Sequence, residues 1–118
     1  MAEANIIAQN ALAYAVRDTS PVTPLHTLIL PRRHAGGFFD LETEEKRAID
    51  ELLEEAGHAI LAHDPSVAGF NIGINVGEAA GQTIFHCHVH LIPRRHGDVA
   101  DPAGGVHAAI RHMLGSSA

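Results

Sequence analysis

The stretch Gly81–Arg95, GQTIFHCHVHLIPRR, sets an imidazole at every second position: His86, His88 and His90. In an extended strand, residues two apart share a face and lie roughly 6.5–7 Å apart. The three rings would then form one row, with Phe85, Cys87, Val89 and Leu91 turned to the core. Three uses suit such a row. It could be a solvated strand face with no further role. It could hold a metal, because His-x-His on a strand can place two imidazoles on one zinc, with Glu78 or another histidine completing the site. Or one imidazole could attack as a nucleophile while its neighbours bind or polarise a charged group.

The residues just upstream favour the third use. Asn75, Gly77, Gly81, Gln82 and Thr83 surround a tight turn that leads into the histidines. Glycines let backbone N–H groups approach an anion closely, and Gln82 and Thr83 add side-chain donors. Beside three histidines, such a turn suggests a phosphate. Neutral imidazole is nucleophilic near neutral pH. Fixed donors stabilise the charge that attack places on phosphate oxygens, and a covalent intermediate divides one displacement into two.

The elements that must position these groups follow from periodicity. The chain has 118 residues, the size of one domain with one modest core, read here as a single unit over 1–118. ALAYAVRD, 11–18, and LHTLILP, 25–31, read as strands, the second ended by Pro31. From Thr43, a plausible N-cap, the apolar positions Ile49, Leu52, Leu53, Ala56 and Ile60 take helical spacing until Asp64-Pro65. GFNIGINVG, 69–77, alternates Phe70, Ile72, Ile74 and Val76 as one buried face. TIFHCHVHLIP, 83–93, reads as a strand ended by Pro93, and the short loop before it suits an antiparallel hairpin. VHAAIRHML, 106–114, reads as a short C-terminal helix. The fold class is α+β: an antiparallel sheet of about five strands with one long helix on one face.

Composition narrows the partners. Eight Lys plus Arg against fourteen Asp plus Glu give a net charge of −6, which disfavours nucleic acid. One cysteine, Cys87, excludes a disulfide framework and a Cys-based zinc site. No run of eighteen apolar residues suggests a membrane span, and MAEANIIAQN lacks a signal-peptide pattern, so the expected location is the cytoplasm.

His86-Cys87-His88-Val89-His90-Leu91-Ile92 matches the pattern His-φ-His-φ-His-φ-φ and resembles the histidine triad (HIT) family. The likeness continues through NVGEAAGQT and RDTSPVTPLHTLILPRRH. GDVADPAGG is similar to the tail of bacterial diadenosine-polyphosphate-hydrolase-like members, so the likeness spans about residues 7 to 107. The resemblance implies a homodimer and a small-molecule nucleotide substrate attacked at its α-phosphorus. It makes His88 the nucleophile, has His90 hydrogen-bond the phosphate, and has His86 support the site from its far end. It assigns phosphate and leaving group to Asn75, Gln82 and Thr83, and the ribose hydroxyls to Asp18, whose carboxylate can accept two hydrogen bonds from a diol. Val16 and Thr19 would lie near the base. Because the transferase branch replaces the third histidine by glutamine, the intact His90 implies hydrolysis. Three departures stand out. No Cys-x-x-Cys precedes Asn5, so no structural zinc and no cofactor are expected. Leu25 replaces a usual glycine before His26, which is read as structural, and Ala103 replaces an arginine. A protein that holds a nucleotide with little turnover is the alternative, and a metal-dependent hydrolase is the third reading.

Overall fold

The computed structural model describes residues 5–99. The helix expected at 106–114 and the departure at Ala103 lie outside them. In chain order the elements are β1 (Ile6–Gln9), β2 (Ala13–Arg17), β3 (Thr27–Pro31), α1 (Thr43–His63), β4 (Gly69–Gly73) and β5 (Val89–Arg94). They form one sheet in the order β1-β2-β3-β5-β4, antiparallel throughout, which makes the fold α+β. β1 adds a strand before the first one that periodicity picks out. Among the described residues no helix is long and apolar enough to cross a membrane.

Helix α1 covers one face of the sheet. Its Ala48, Ile49 and Leu52 pack on Ala13, Ala15, Ile29, Cys87 and Val89, and its Ala56 and Ile60 pack on Val67 and Leu91. Burying each large aliphatic side chain contributes roughly 1.5–3 kcal/mol. The opposite face carries Val16, Leu28 and Leu30 with Tyr14 and Ile6 against them. Because Leu28 is the register partner of His90, that histidine belongs to the face away from the helix. The N-cap of α1 is Glu42 rather than Thr43. The Glu45 side chain decides this: its Oε1 accepts the Glu42 N–H at 2.8 Å while the Arg33 guanidinium grips both its oxygens.

Pro31 is the last residue of β3, as expected, whereas Pro93 lies one residue inside the end of β5. In a strand, a residue's N–H and C=O point to the same edge. The Pro31 carbonyl accepts from His86 and the Pro93 carbonyl from the Thr23 hydroxyl. Each missing N–H therefore falls on an edge where the β3–β5 ladder, Thr27↔Leu91 to Ile29↔Val89, has already ended.

Three expectations need correction. β4 and β5 pair antiparallel, Gly69↔Arg94 to Gly73↔His90, but residues 74–88 connect them, not a short hairpin loop. The strand expected at 83–93 begins only at Val89, so Phe85 is 53% exposed instead of core. The strand expected at 69–77 ends at Gly73, and Ile72 is 54% exposed because β4 is an outer strand that α1 does not fully cover.

Candidate active site

Strand β5 holds only the last of the three histidines. His90 is paired on one side with Leu28 and on the other with Gly73, and it is buried. His86 and His88 stand in the irregular segment before it and are half-buried. The expected single row of rings therefore does not form along a strand. The rings still adjoin: the centroids of His88 and His90 are 5.1 Å apart and nearly perpendicular.

The segment carrying His86 and His88 is held by hydrogen bonds to neighbouring backbone. The Cys87 N–H donates to the Ala35 carbonyl. Gln82, buried, accepts the Gly77 N–H on Oε1 at 2.8 Å and donates from Nε2 to the carbonyls of Gly36 at 2.6 Å and Ile84 at 3.0 Å. Both amide hydrogens are thus committed, and Gln82 acts as a strut between two loops. Gly77 and Gly81 adopt φ of 88° and 92°, which their lack of a Cβ permits. They bracket the short 3₁₀ turn Glu78–Ala80. Asn75 is half-buried just after β4, and Thr83 is exposed.

The partners of each ring fix its tautomer. The Val22 N–H donates to His26 Nδ1 at 3.1 Å. His26 therefore carries its proton on Nε2 and donates it to His90 Nδ1 at 2.9 Å. His90 in turn carries its proton on Nε2. His88 donates Nδ1–H to the His86 carbonyl at 2.8 Å, which leaves a lone pair on Nε2. His86 donates Nε2–H to the Pro31 carbonyl at 3.0 Å. The result is one histidine with an unprotonated outer nitrogen beside another that presents an N–H.

Burial, reinforced by His88 and His26 nearby, pushes His90 down to about 3. Burial also lowers His26, although Asp18 pulls the other way. Both rings are neutral at physiological pH. The Asp18 carboxylate sits 3.6 Å from His26 Nε2, too long for a hydrogen bond. Its other oxygen accepts the Ser20 N–H at 2.8 Å. The ligand atoms of Asp18, His26 and His90 lie within 4.8 Å of one another, a spacing a cation could span. The donor set opposes one, however. A metal on His26 Nε2 would drive that proton to Nδ1, where it would face the Val22 N–H. Burial pushes the Cys87 thiol up to about 11, consistent with a small core residue.

His26, read from the sequence as structural, bonds His90 directly. It precedes β3, and its signal is the β2–β3 register: Arg17↔Thr27 places Asp18 opposite His26, with the Asp18 N–H on the His26 carbonyl at 2.9 Å.

The chain is similar to known proteins in sequence and fold. The HIT domain family model matches residues 1–97. An uncharacterized HIT-like protein of Synechococcus elongatus is 33% identical over 92 residues, covering 78% of this chain and 80% of that one. The bifunctional bis(5'-adenosyl)-triphosphatase/adenylylsulfatase FHIT of Arabidopsis thaliana is 32% identical over 87 residues, covering 74% of this chain and 48% of its own. The chain spans 60–63% of the length of several further HIT-like relatives. The crystal structure of a HIT family protein from Bacillus anthracis superposes with a TM-score of 0.75 at 29% identity, over 96% of this chain and 84% of that one.

Proposed function

This chain belongs to the HIT family, and from that premise we propose that it is a nucleotide phosphohydrolase. Its substrate is a dinucleoside polyphosphate, a nucleoside phosphoramidate or a related adenylyl compound. The observation that carries the reading is the tautomer chain: His88 Nε2 offers a lone pair beside an N–H on His90. In the first step His88 Nε2 attacks the α-phosphorus, a phosphorus–nitrogen bond forms, and the bond to the leaving group breaks. The leaving group takes its proton from solvent. His90 stabilises charge as a neutral donor, since losing its proton would leave an imidazolate. In the second step water attacks the same phosphorus and gives up one proton to solvent, the phosphorus–nitrogen bond breaks with its electron pair returning to Nε2, and a nucleoside monophosphate leaves.

Asn75 and Thr83 offer donors near the turn, Gln82 keeps the turn in shape, and the free oxygen of Asp18 receives the ribose hydroxyls. His86 supports His88 through its carbonyl. The decisive experiment incubates the protein with a dinucleoside triphosphate and with an adenosine phosphoramidate, and looks for an acid-labile adduct on His88 by mass spectrometry. Turnover without an adduct would remove the covalent step. Tight nucleotide binding with neither would favour a protein that holds a nucleotide without processing it.

The same reading includes a homodimer and a cytoplasmic location. Beside the outer strand β4 lies a groove of about 450 Å³ lined by Phe38, Leu41, Ile49, Leu53, Ile72 and Ile74. An open apolar edge of this kind is suited to a second copy. Light scattering of Ile72→Glu against the parent tests it: the parent should run as a dimer and the variant as a monomer.

A further inference from the structure

Among the described residues, Leu25 is the one non-glycine with positive φ, at 73°. It is the third residue of the turn Thr23-Pro24-Leu25-His26, closed by the His26 N–H on the Thr23 carbonyl at 3.2 Å. Proline second and positive φ third is the type II pattern, in which glycine is the comfortable third residue because a Cβ crowds the following carbonyl. The strained conformation is nevertheless held from several sides. The Thr27 hydroxyl donates to the Leu25 carbonyl at 2.8 Å, and the Arg95 guanidinium donates to the Pro24 carbonyl at 3.0 Å. The Leu25 side chain packs on the helix-side cluster of Ala56, Ile60, Val67 and Leu91. The next residue, His26, turns to the opposite side, where it engages Val22 and His90.

We infer that Leu25 is a positioning residue: its side chain pins the turn to the core beneath α1, so that the His26 ring holds His90 with the Nε2 proton facing outward. A glycine would give the same turn without strain and also without the anchor. Strain alone therefore does not explain a leucine here, whereas anchoring does. Two features make the anchor effective. His26 is fully committed at both ring nitrogens, so a small rotation of the turn breaks one bond or the other. And among the described residues no carboxylate within hydrogen-bonding reach of its ring backs it up, since Asp18 stands at 3.6 Å.

The test is nitrogen NMR of histidine-labelled protein, comparing the parent with Leu25→Gly and Leu25→Met. The parent should show His90 as a single tautomer protonated at Nε2. Leu25→Gly should show His90 averaging between tautomers, and Leu25→Met, which keeps an apolar anchor, should restore the parent pattern. Should the glycine variant fail to fold, Leu25→Asn replaces it, because asparagine tolerates positive φ while removing the anchor. A kinetic arm rests on the hydrolase reading above: kcat in Leu25→Gly should fall about tenfold with KM little changed, as misplacement of a catalytic group does. The NMR arm needs no turnover, so failure of the hydrolase reading leaves it intact. A single unchanged His90 tautomer in both Leu25→Gly and Leu25→Asn would reduce Leu25 to a packing residue and overturn the inference.

Discussion

His88 and His90 stand two residues apart in one motif, yet they belong to different structural regimes. His90 sits in β5 with a ladder on both sides, buried, its Nδ1 bonded to another histidine. His88 sits in irregular chain, half-buried, its Nδ1 bonded to a backbone carbonyl. The strand region is stabilised by burial, and burial suppresses protonation of its histidine. The loop region is held by discrete hydrogen bonds, through Gln82, Cys87 and His86, and leaves its histidine open to a ligand. The difference suggests a division of work in which the rigid region supplies a fixed neutral donor and the looser one supplies the attacking atom.

That division predicts opposite balances of activity and stability. His88→Gly should lose turnover by at least about a thousandfold, the scale of removing a nucleophile, while thermal stability and nucleotide binding stay close to the parent. A variant that turns over normally would end the nucleophile assignment. His90→Phe should lose turnover by about a hundredfold. It should also lose about 1–3 kcal/mol of stability, because the buried His26 Nε2–H is left without its acceptor. If chemical denaturation shows both variants equally stable, the two regions do not differ as described.

Gln82 sharpens the comparison within the loop. As a strut, Gln82→Ala should lower stability by about 1–2 kcal/mol and turnover by about tenfold together. A residue that only contacted phosphate would raise KM and leave the unfolding midpoint where it was.

The same contrast bears on pH dependence. His90 is held near 3 in the fold against an ordinary 6.5, and His26 is lowered as well. Between those pH values the unfolded chain binds more protons, so stability is full above about 6.5 and declines as pH falls toward 3. Asp64, lowered to about 2 mainly by Ser66 and then Arg95, and Asp98, lowered to about 2 mainly by Arg94, act only further down, as pH falls from about 4 to 2. Thermal midpoints measured from pH 7 to 4.5 should fall in the parent and fall less in His90→Phe. An equal slope in both would place the acid sensitivity elsewhere.

Much of the fold was legible in the sequence because it is local. The three-and-four spacing from Ile49 to Ile60 dictates a helix whose one face is buried, and α1 runs Thr43–His63. Alternation around Tyr14 and Phe70, and the run rich in Leu, Ile and Thr around Leu28, favour strands, and β2, β3 and β4 contain them. The spacing of the histidines likewise fits a site in which their rings meet; those of His88 and His90 do meet, though not as a row, while the ring of His86 packs against His34. Period two is a property of a regular strand, and the alternation of apolar and polar residues persists through Phe85–His88 although no ladder partner exists there. Whether a partner strand is present is a long-range fact, invisible in the segment itself.

What the sequence determined by itself is therefore the set of chemical groups and the preferences of each short segment: three histidines close along the chain, a glycine-bounded turn, one amphipathic helix. Only the tertiary structure decided which nitrogen of each ring carries the proton. That choice rests on the Val22 N–H, the carbonyls of His86 and Pro31, and the ring of His26, and two of these reach the histidines from more than fifty residues away. An imidazole has no intrinsic preference strong enough to settle its own tautomer, so its chemistry passes to whichever donors and acceptors the packed sheet brings against it.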